Sequence, residues 1–276
     1  MTLDHIAQAY LDWCESERVP ANTVRRRRSV LRAVPRPGTI SRLEMEAWWR
    51  SRDTFPDGRP RADSSRANEL AVLRSFYRWC SIWEHRTDDP TARLLAPTVP
   101  SSVPRPAART ELDRIREHVA DKPELRRAVI LGAYCGLRVS EAARATWGDV
   151  DLEFCVLTVV GKGRKRRRVR VQRTLLDELL PPDTTRPSAA VNIVTADVVP
   201  LEPDALRQRA NRAFRAAGVD ITFHQLRHRY GTLAFQATRD LVAVRDAMGH
   251  ASISTTAGYA AAATEVQDTI AAAVLG

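Results

Sequence analysis

Between Asp88 and Pro106 the chain carries Pro90, Pro97, Pro100, Pro104 and Pro106 and shows no apolar periodicity. Proline fixes φ and lacks an amide donor, so neither a helix interior nor a central strand persists through such a stretch. A chain of 276 residues interrupted in this way reads as two folding units, residues 1–87 and residues from 108 onward, joined by a linker over 88–107.

The first unit is helical throughout. Ile6, Tyr10 and Cys14 share one face of a first helix, and a second runs from Thr23 to Ala33 after Pro20 and Asn22. A third begins near Ser41 and carries Trp48 and Trp49. In a fourth, Leu70, Leu73, Phe76, Tyr77 and Cys80 recur at spacings of three and four and form an apolar stripe. The second unit opens with a helix start at Thr110-Glu-Leu-Asp113, and another helix runs from Pro123 to Gly136. From Asp151 to Val171 the period changes to two, which predicts a β-hairpin with Gly161–Arg166 at its tip. Helical signals return over Pro203–Ala217, His224–Ala237 and Leu241–Met248, with Gly218 and Gly249 as stop signals.

Lys and Arg number 43 against 33 Asp and Glu, a net charge of +10. Such an excess favours an anionic partner, and nucleic acid is the abundant one. Cys14, Cys80, Cys135 and Cys155 lie far apart without CxxC spacing and read as reduced thiols. No apolar run approaches the ~18 residues of a membrane span, and residues 1–28 are too charged for a signal peptide, so a cytoplasmic, nucleoid-associated protein without membrane contact is expected. Gly161-Lys-Gly163 lacks P-loop spacing, and GxSxG, HExxH and clustered acidic triads are absent. His224 and His228 sit four apart with no third ligand nearby, so neither a metal nor any other cofactor is expected.

What remains is a set of cations and one phenol: Gly136-Leu-Arg138-Val-Ser-Glu141, Lys162, His224-Gln-Leu-Arg227-His228, Gly249-His250 and Tyr259. In this order the series resembles the tyrosine recombinases, or phage integrases, over almost the whole chain. The resemblance implies a mainly α protein: a helical (SAM-like) core-binding domain over 1–87, and a mixed α+β catalytic domain over 108–263 with a small antiparallel sheet. It also implies a helix over 264–276 that docks on a neighbouring protomer.

Cleaving a phosphodiester without a metal requires another means of neutralising the transition state's excess negative charge. Guanidinium is permanently protonated and offers a planar fork to two oxygens, which assigns Arg138 and Arg227 as the phosphate clamp. Under the resemblance Tyr259 is the nucleophile that forms a 3′-phosphotyrosyl link, and rejoining needs no ATP because the intermediate keeps the phosphoester energy. His224 is the candidate proton acceptor for the phenol. Lys162 matches the family's general acid, although Lys165 lies close enough in the same turn to serve instead. His250 matches a residue that hydrogen-bonds the scissile phosphate. Glu141 and His228 are expected to support the others.

The basic runs Arg25–Arg28 and Arg164–Arg168 are candidate DNA contacts, with Arg25, Arg26, Arg28, Arg164, Lys165 and Arg166 named within them; a helix cannot aim four successive arginines at one surface. Trp48, Trp49, Trp79 and Trp83 read as packing residues. The capping box Thr264-Glu-Val-Gln267 precedes Val266, Ile270 and Val274 at spacings of four, the apolar stripe of the terminal helix. The resemblance further implies double-stranded core-type recombination sites as the partner, with two protomers per site and a homotetramer on DNA formed from protomers that are monomeric in free solution. An excision-directing accessory factor is left open. With no arm-binding domain before the first helix, the expected form is the minimal two-domain one, either a phage or mobile-element integrase or a Xer-like resolver of chromosome and plasmid dimers. Rivals are a type IB topoisomerase that relaxes supercoils and a catalytically silent DNA-binding regulator.

Overall fold

The computed structural model describes residues 3–99, 105–161, 165–182 and 187–249, and the chain divides into two compact units, Met1–Ser101 and Ser102–Gly276. In the first, α1 (His5–Ser16) starts where Asp4 accepts the Ala7 amide, and α2 (Ala21–Ala33) follows Pro20. A capping box between Ser41 and Glu44 opens α3 (Arg42–Ser51). The long α4 (Asp63–Ile82) buries the expected stripe of Leu70, Leu73, Phe76, Tyr77 and Cys80 against Tyr10, Leu11, Leu31 and Met45. Within the proline-rich stretch Thr91 is buried and Leu94 joins this same core, and Arg74 donates to the Leu94 carbonyl at 2.8 Å. Of the tryptophans read as packing residues, Trp49 and Trp79 are buried, but Trp83, the C-cap residue just past the end of α4, is 56% exposed.

The second unit runs α5 (Arg109–His118), α6 (Pro123–Ala133), α7 (Val139–Ala142), β1 (Val150–Asp151), β2 (Val156–Val160), β3 (Arg166–Arg170), α8 (Arg173–Leu179), α9 (Pro203–Ala216), α10 (Phe223–Thr238) and α11 (Leu241–Met248). The sheet is antiparallel in the order β1-β2-β3, with Leu157 opposite Val169 and Val159 opposite Arg167. Its inner face joins α6, α8, α9 and the start of α10 in one core. Helix α6 is buried from Arg127 to Ala133, the pattern of a central helix enclosed on all sides. Helix α8, unforeseen in sequence, turns Leu175, Leu176 and Leu179 inward. Helix α11 packs on α10 through a separate small cluster of Phe235, Val244 and Met248. Among the described residues no helix is long and apolar enough to cross a membrane. Cys14, Cys80 and Cys135 are buried free thiols, and Cys155 is half-buried.

Candidate active site

Three separate parts of the second unit converge on one carboxylate. Helix α6 closes at Ala133 with Tyr134 as its C-cap, three residues short of the expected stop at Gly136; Gly136 itself is left-handed (φ 65°) and reverses the chain so that Arg138 caps the start of α7. Only glycine fits there without disturbance, since a Cβ at position 136 would lie 2.4 Å from the Tyr230 ring. Glu141, one turn into α7, reaches back to accept the Arg138 amide at 2.8 Å and its guanidinium at 2.8 Å.

The same carboxylate accepts both terminal nitrogens of Arg167 on β3, at 3.0 and 2.8 Å, in a bidentate fork. Arg227, on the second turn of α10, approaches it at 3.5 Å. Arg227 is fully buried; it donates to the Gly136 carbonyl and, at 2.6 Å, to the Met248 carbonyl. Arg138 donates at 3.3 Å to the carbonyl of Gly249, the left-handed residue that ends α11. The two arginines therefore meet across α7, α10 and the end of α11. Arg138 is partly exposed and Arg227 wholly enclosed, so one guanidinium is open to solvent and the other is fixed behind it.

Burial opposes the charge on Glu141, but the hydrogen bonds from Arg167 and Arg138 and the Arg167 charge overcome it and hold the carboxyl at about 2. His224 and His228, one turn apart on α10, lie edge to face with ring centroids 4.3 Å apart. Desolvation first, then the charges of Arg227 and Arg138, lower His224 below the ordinary imidazole range. Burial, then His224 and Arg227, bring His228 down to about 4. Both rings are thus neutral at pH 7, and a neutral His224 is able to accept a proton. Among the described residues no group of three or more His, Cys, Asp and Glu side chains has the arrangement of a metal site.

The structure thus brings Arg138, Glu141, His224, Arg227 and His228 together. Lys162, Arg164, His250 and Tyr259, and the helix expected over 264–276, lie outside the described residues. Lys165 and Arg166 are exposed at the base of the hairpin tip. In the first unit Arg25 and Arg26 are exposed; Arg25 donates to Asn22 at 2.6 Å, and Arg28 pairs with Glu15 at 3.0 Å. Arg27, between them, instead lies over the Tyr10 ring, 5.3 Å from its centroid, as the helical rotation dictates.

Arg167 is the residue that sequence reasoning missed. It sits within a run read as DNA-facing, yet only 8% of its side chain is exposed. The signal was available in the alternation of β3, where Val169 and, two positions earlier, Arg167 point to the inner face while Arg166, Arg168 and Arg170 point outward.

The model of the phage integrase family matches residues 108–265. Tyrosine recombinase XerA of Thermococcus kodakarensis is 32% identical over 205 residues, 71% of this chain and 71% of that protein. Tyrosine recombinase XerC of Rhodospirillum centenum is 32% identical over 235 residues, 80% of this chain and 68% of its own. In fold, a lambda integrase dimer bound to a COC′ core site superposes with a TM-score of 0.72 at 19% identity, over 94% of this chain and 77% of that one. XerH bound to a palindromic difH substrate gives 0.64 at 19% identity, over 84% and 72%. With its family model, its relatives and its fold in agreement, the chain belongs to the phage integrase family of tyrosine recombinases, enzymes that break and rejoin DNA strands.

Proposed function

We propose that the chain is a site-specific recombinase that exchanges strands between double-stranded core-type sites through a tyrosyl-DNA intermediate. The observation that carries this reading is the pairing of Arg138 and Arg227 around one carboxylate beside a neutral His224, an arrangement suited to a phosphodiester and to a phenol that must lose a proton.

In this reading the scissile phosphate takes the exposed guanidinium of Arg138, with Arg227 behind it. The Tyr259 phenol oxygen attacks phosphorus and passes its proton to His224, while the bond from phosphorus to the 5′-oxygen breaks. Lys162, or Lys165 in its place, gives that oxygen a proton, leaving a 3′-phosphotyrosyl link and a free 5′-hydroxyl; His250 steadies the phosphoryl oxygens. Attack by a 5′-hydroxyl of the partner duplex reverses each transfer and reseals the strand, so no external energy source is required. Arg25, Arg26, Arg28, Arg164, Lys165 and Arg166 contribute backbone contacts whose strength falls with salt.

Relatives named XerA, XerC and XerD, at 30–34% identity, favour a Xer-like role in resolving dimers of circular DNA. Integration of a phage or mobile element is the second reading, favoured by the family model that the catalytic unit matches. Neighbours in fold include a lambda integrase tetramer bound to a Holliday junction, which supports a tetramer as the working assembly, with two protomers per site.

The test is to incubate the chain with fragmented DNA of its source genome, denature, and sequence the strand that stays attached to protein. Attachment through Tyr259 at one recurrent sequence is expected, and Tyr259→Phe is expected to shift that DNA without attachment. Relaxation of supercoils with no joined products would refute recombination in favour of a topoisomerase.

A further inference from the structure

Arg167 carries a full charge, is 92% removed from solvent by its 8% side-chain exposure, and spends both terminal nitrogens on Glu141. Its Nε has no hydrogen-bond partner among the described residues, so Glu141 is the anion that compensates it there. Its aliphatic stem lies under Gly249, where an added Cβ would meet the Arg167 Cδ at 3.2 Å. Through this one side chain, strand β3, the helix α7 that bears Arg138, and the end of α11 share a contact.

A carboxylate beside two phosphate-binding guanidiniums is a competitor for them. With Arg138 and Arg227 as its sole cationic partners, Glu141 would bind both in ion pairs and leave one positive charge in excess for a phosphate. The bidentate fork of Arg167 adds one bond at each oxygen, beside the bond each already accepts from Arg138, and brings a third positive charge to the carboxylate. Three guanidiniums against one carboxylate leave two positive charges in excess, on the side where Arg138 is open to solvent. Resting on the recombinase reading, we propose that Arg167 is a positioning residue for strand cleavage: by occupying Glu141 it leaves the charge of Arg138 and Arg227 available to the scissile phosphate, and it anchors the hairpin strand against the end of α11. Arg167 touches no DNA in this role; its effect passes through Glu141.

The test uses the full chain and a nicked duplex carrying the attachment site recovered from genomic DNA as above. Arg167→Met is expected to bind that duplex within about threefold of wild type and to form the covalent adduct at least tenfold more slowly at saturating protein. Adding Glu141→Gln to Arg167→Met restores the original charge excess and is expected to recover most of the lost rate, a coupling that a packing role would not produce. Arg167→Lys, which keeps the charge but not the fork, is expected to fall between wild type and Arg167→Met and covers the case in which Arg167→Met does not fold. Adduct formation by Arg167→Met at the wild-type rate, a parallel loss of binding and cleavage, or strictly additive defects in the double variant would overturn the proposal while leaving the recombinase reading intact. A wild-type chain that forms no adduct through Tyr259 refutes that reading, and the proposal with it.

Discussion

Replacing Glu141 with Gln removes the carboxylate that, among the described residues, Arg138, Arg167 and Arg227 share, while keeping its shape. The native carboxyl is held at about 2 against an ordinary value of 4.5, which corresponds to about 3 kcal/mol of stability at neutral pH. The sign is that of a depressed acid: the contribution is complete above the unfolded value of 4.5 and is lost as pH falls toward 2. At pH 3.5 the unfolded carboxyl is mostly protonated and the native one still ionised, so about 1.4 kcal/mol has already gone. Urea unfolding followed by tryptophan fluorescence and circular dichroism at pH 7 and pH 3.5 reads this directly. Wild type is expected to exceed Glu141→Gln by about 3 kcal/mol at pH 7 and by about 2 kcal/mol at pH 3.5. Other acids and the two histidines act in both proteins and cancel in the difference. A difference that stays constant across that range would refute the assignment of Glu141 as an ionised hub.

Gly136→Ala places a Cβ against the Tyr230 ring and forces a left-handed alanine, so a loss of at least about 2 kcal/mol in urea unfolding is expected, along with slower cleavage as the carbonyl that orients Arg227 shifts. In the free protein, NMR titration is expected to place His228 near 4 and His224 below 6.5; a value above 6.5 for either would contradict the neutral pair. Arg138→Lys keeps a charge without the fork, so DNA affinity within a few-fold of wild type and an adduct rate down by at least about a hundredfold are expected in gel-shift and adduct assays. Leu94→Ala is expected to cost about 2–3 kcal/mol in the first unit, measured on a fragment-independent probe such as hydrogen exchange of α4 amides in the full chain, because this residue of the proline-rich stretch is buried in that core.

Much of the fold was legible because its helices are amphipathic. The α4 stripe from Leu70 to Cys80 and the Gly249 stop of α11 lie where their spacing and chemistry put them. Helix α8 escaped notice because its signal is three leucines in a single short turn beside the hairpin, too brief to register as a period. Leu94 escaped for a different reason: proline forbids regular structure but does not forbid burial, and an irregular turn with Asp89 accepting the Thr91 amide at 2.7 Å packs as well as a helix end. Within the site, Arg138, His224 and Arg227 stood out only by their place in a series that resembles the tyrosine recombinases; taken singly, an arginine before a helix start and an HxxR turn are more often solvated surface. Arg167 was hidden by its neighbours: in a run of basic residues, composition says "surface", and only the twofold alternation of a strand separates the one turned inward. The convergence of all three guanidiniums on Glu141 is a tertiary fact with no local trace.

The edge-to-face contact of His224 and His228 limits how many protons the pair can hold. Two imidazolium rings with centroids 4.3 Å apart, hemmed in by guanidiniums, would repel each other and their surroundings, so the pair behaves as a reservoir with room for a single proton. On the proposed reading, a phenol that gives its hydrogen to His224 fills that one place. A second ionisation beside the rings would then find no place for its proton until the first had left.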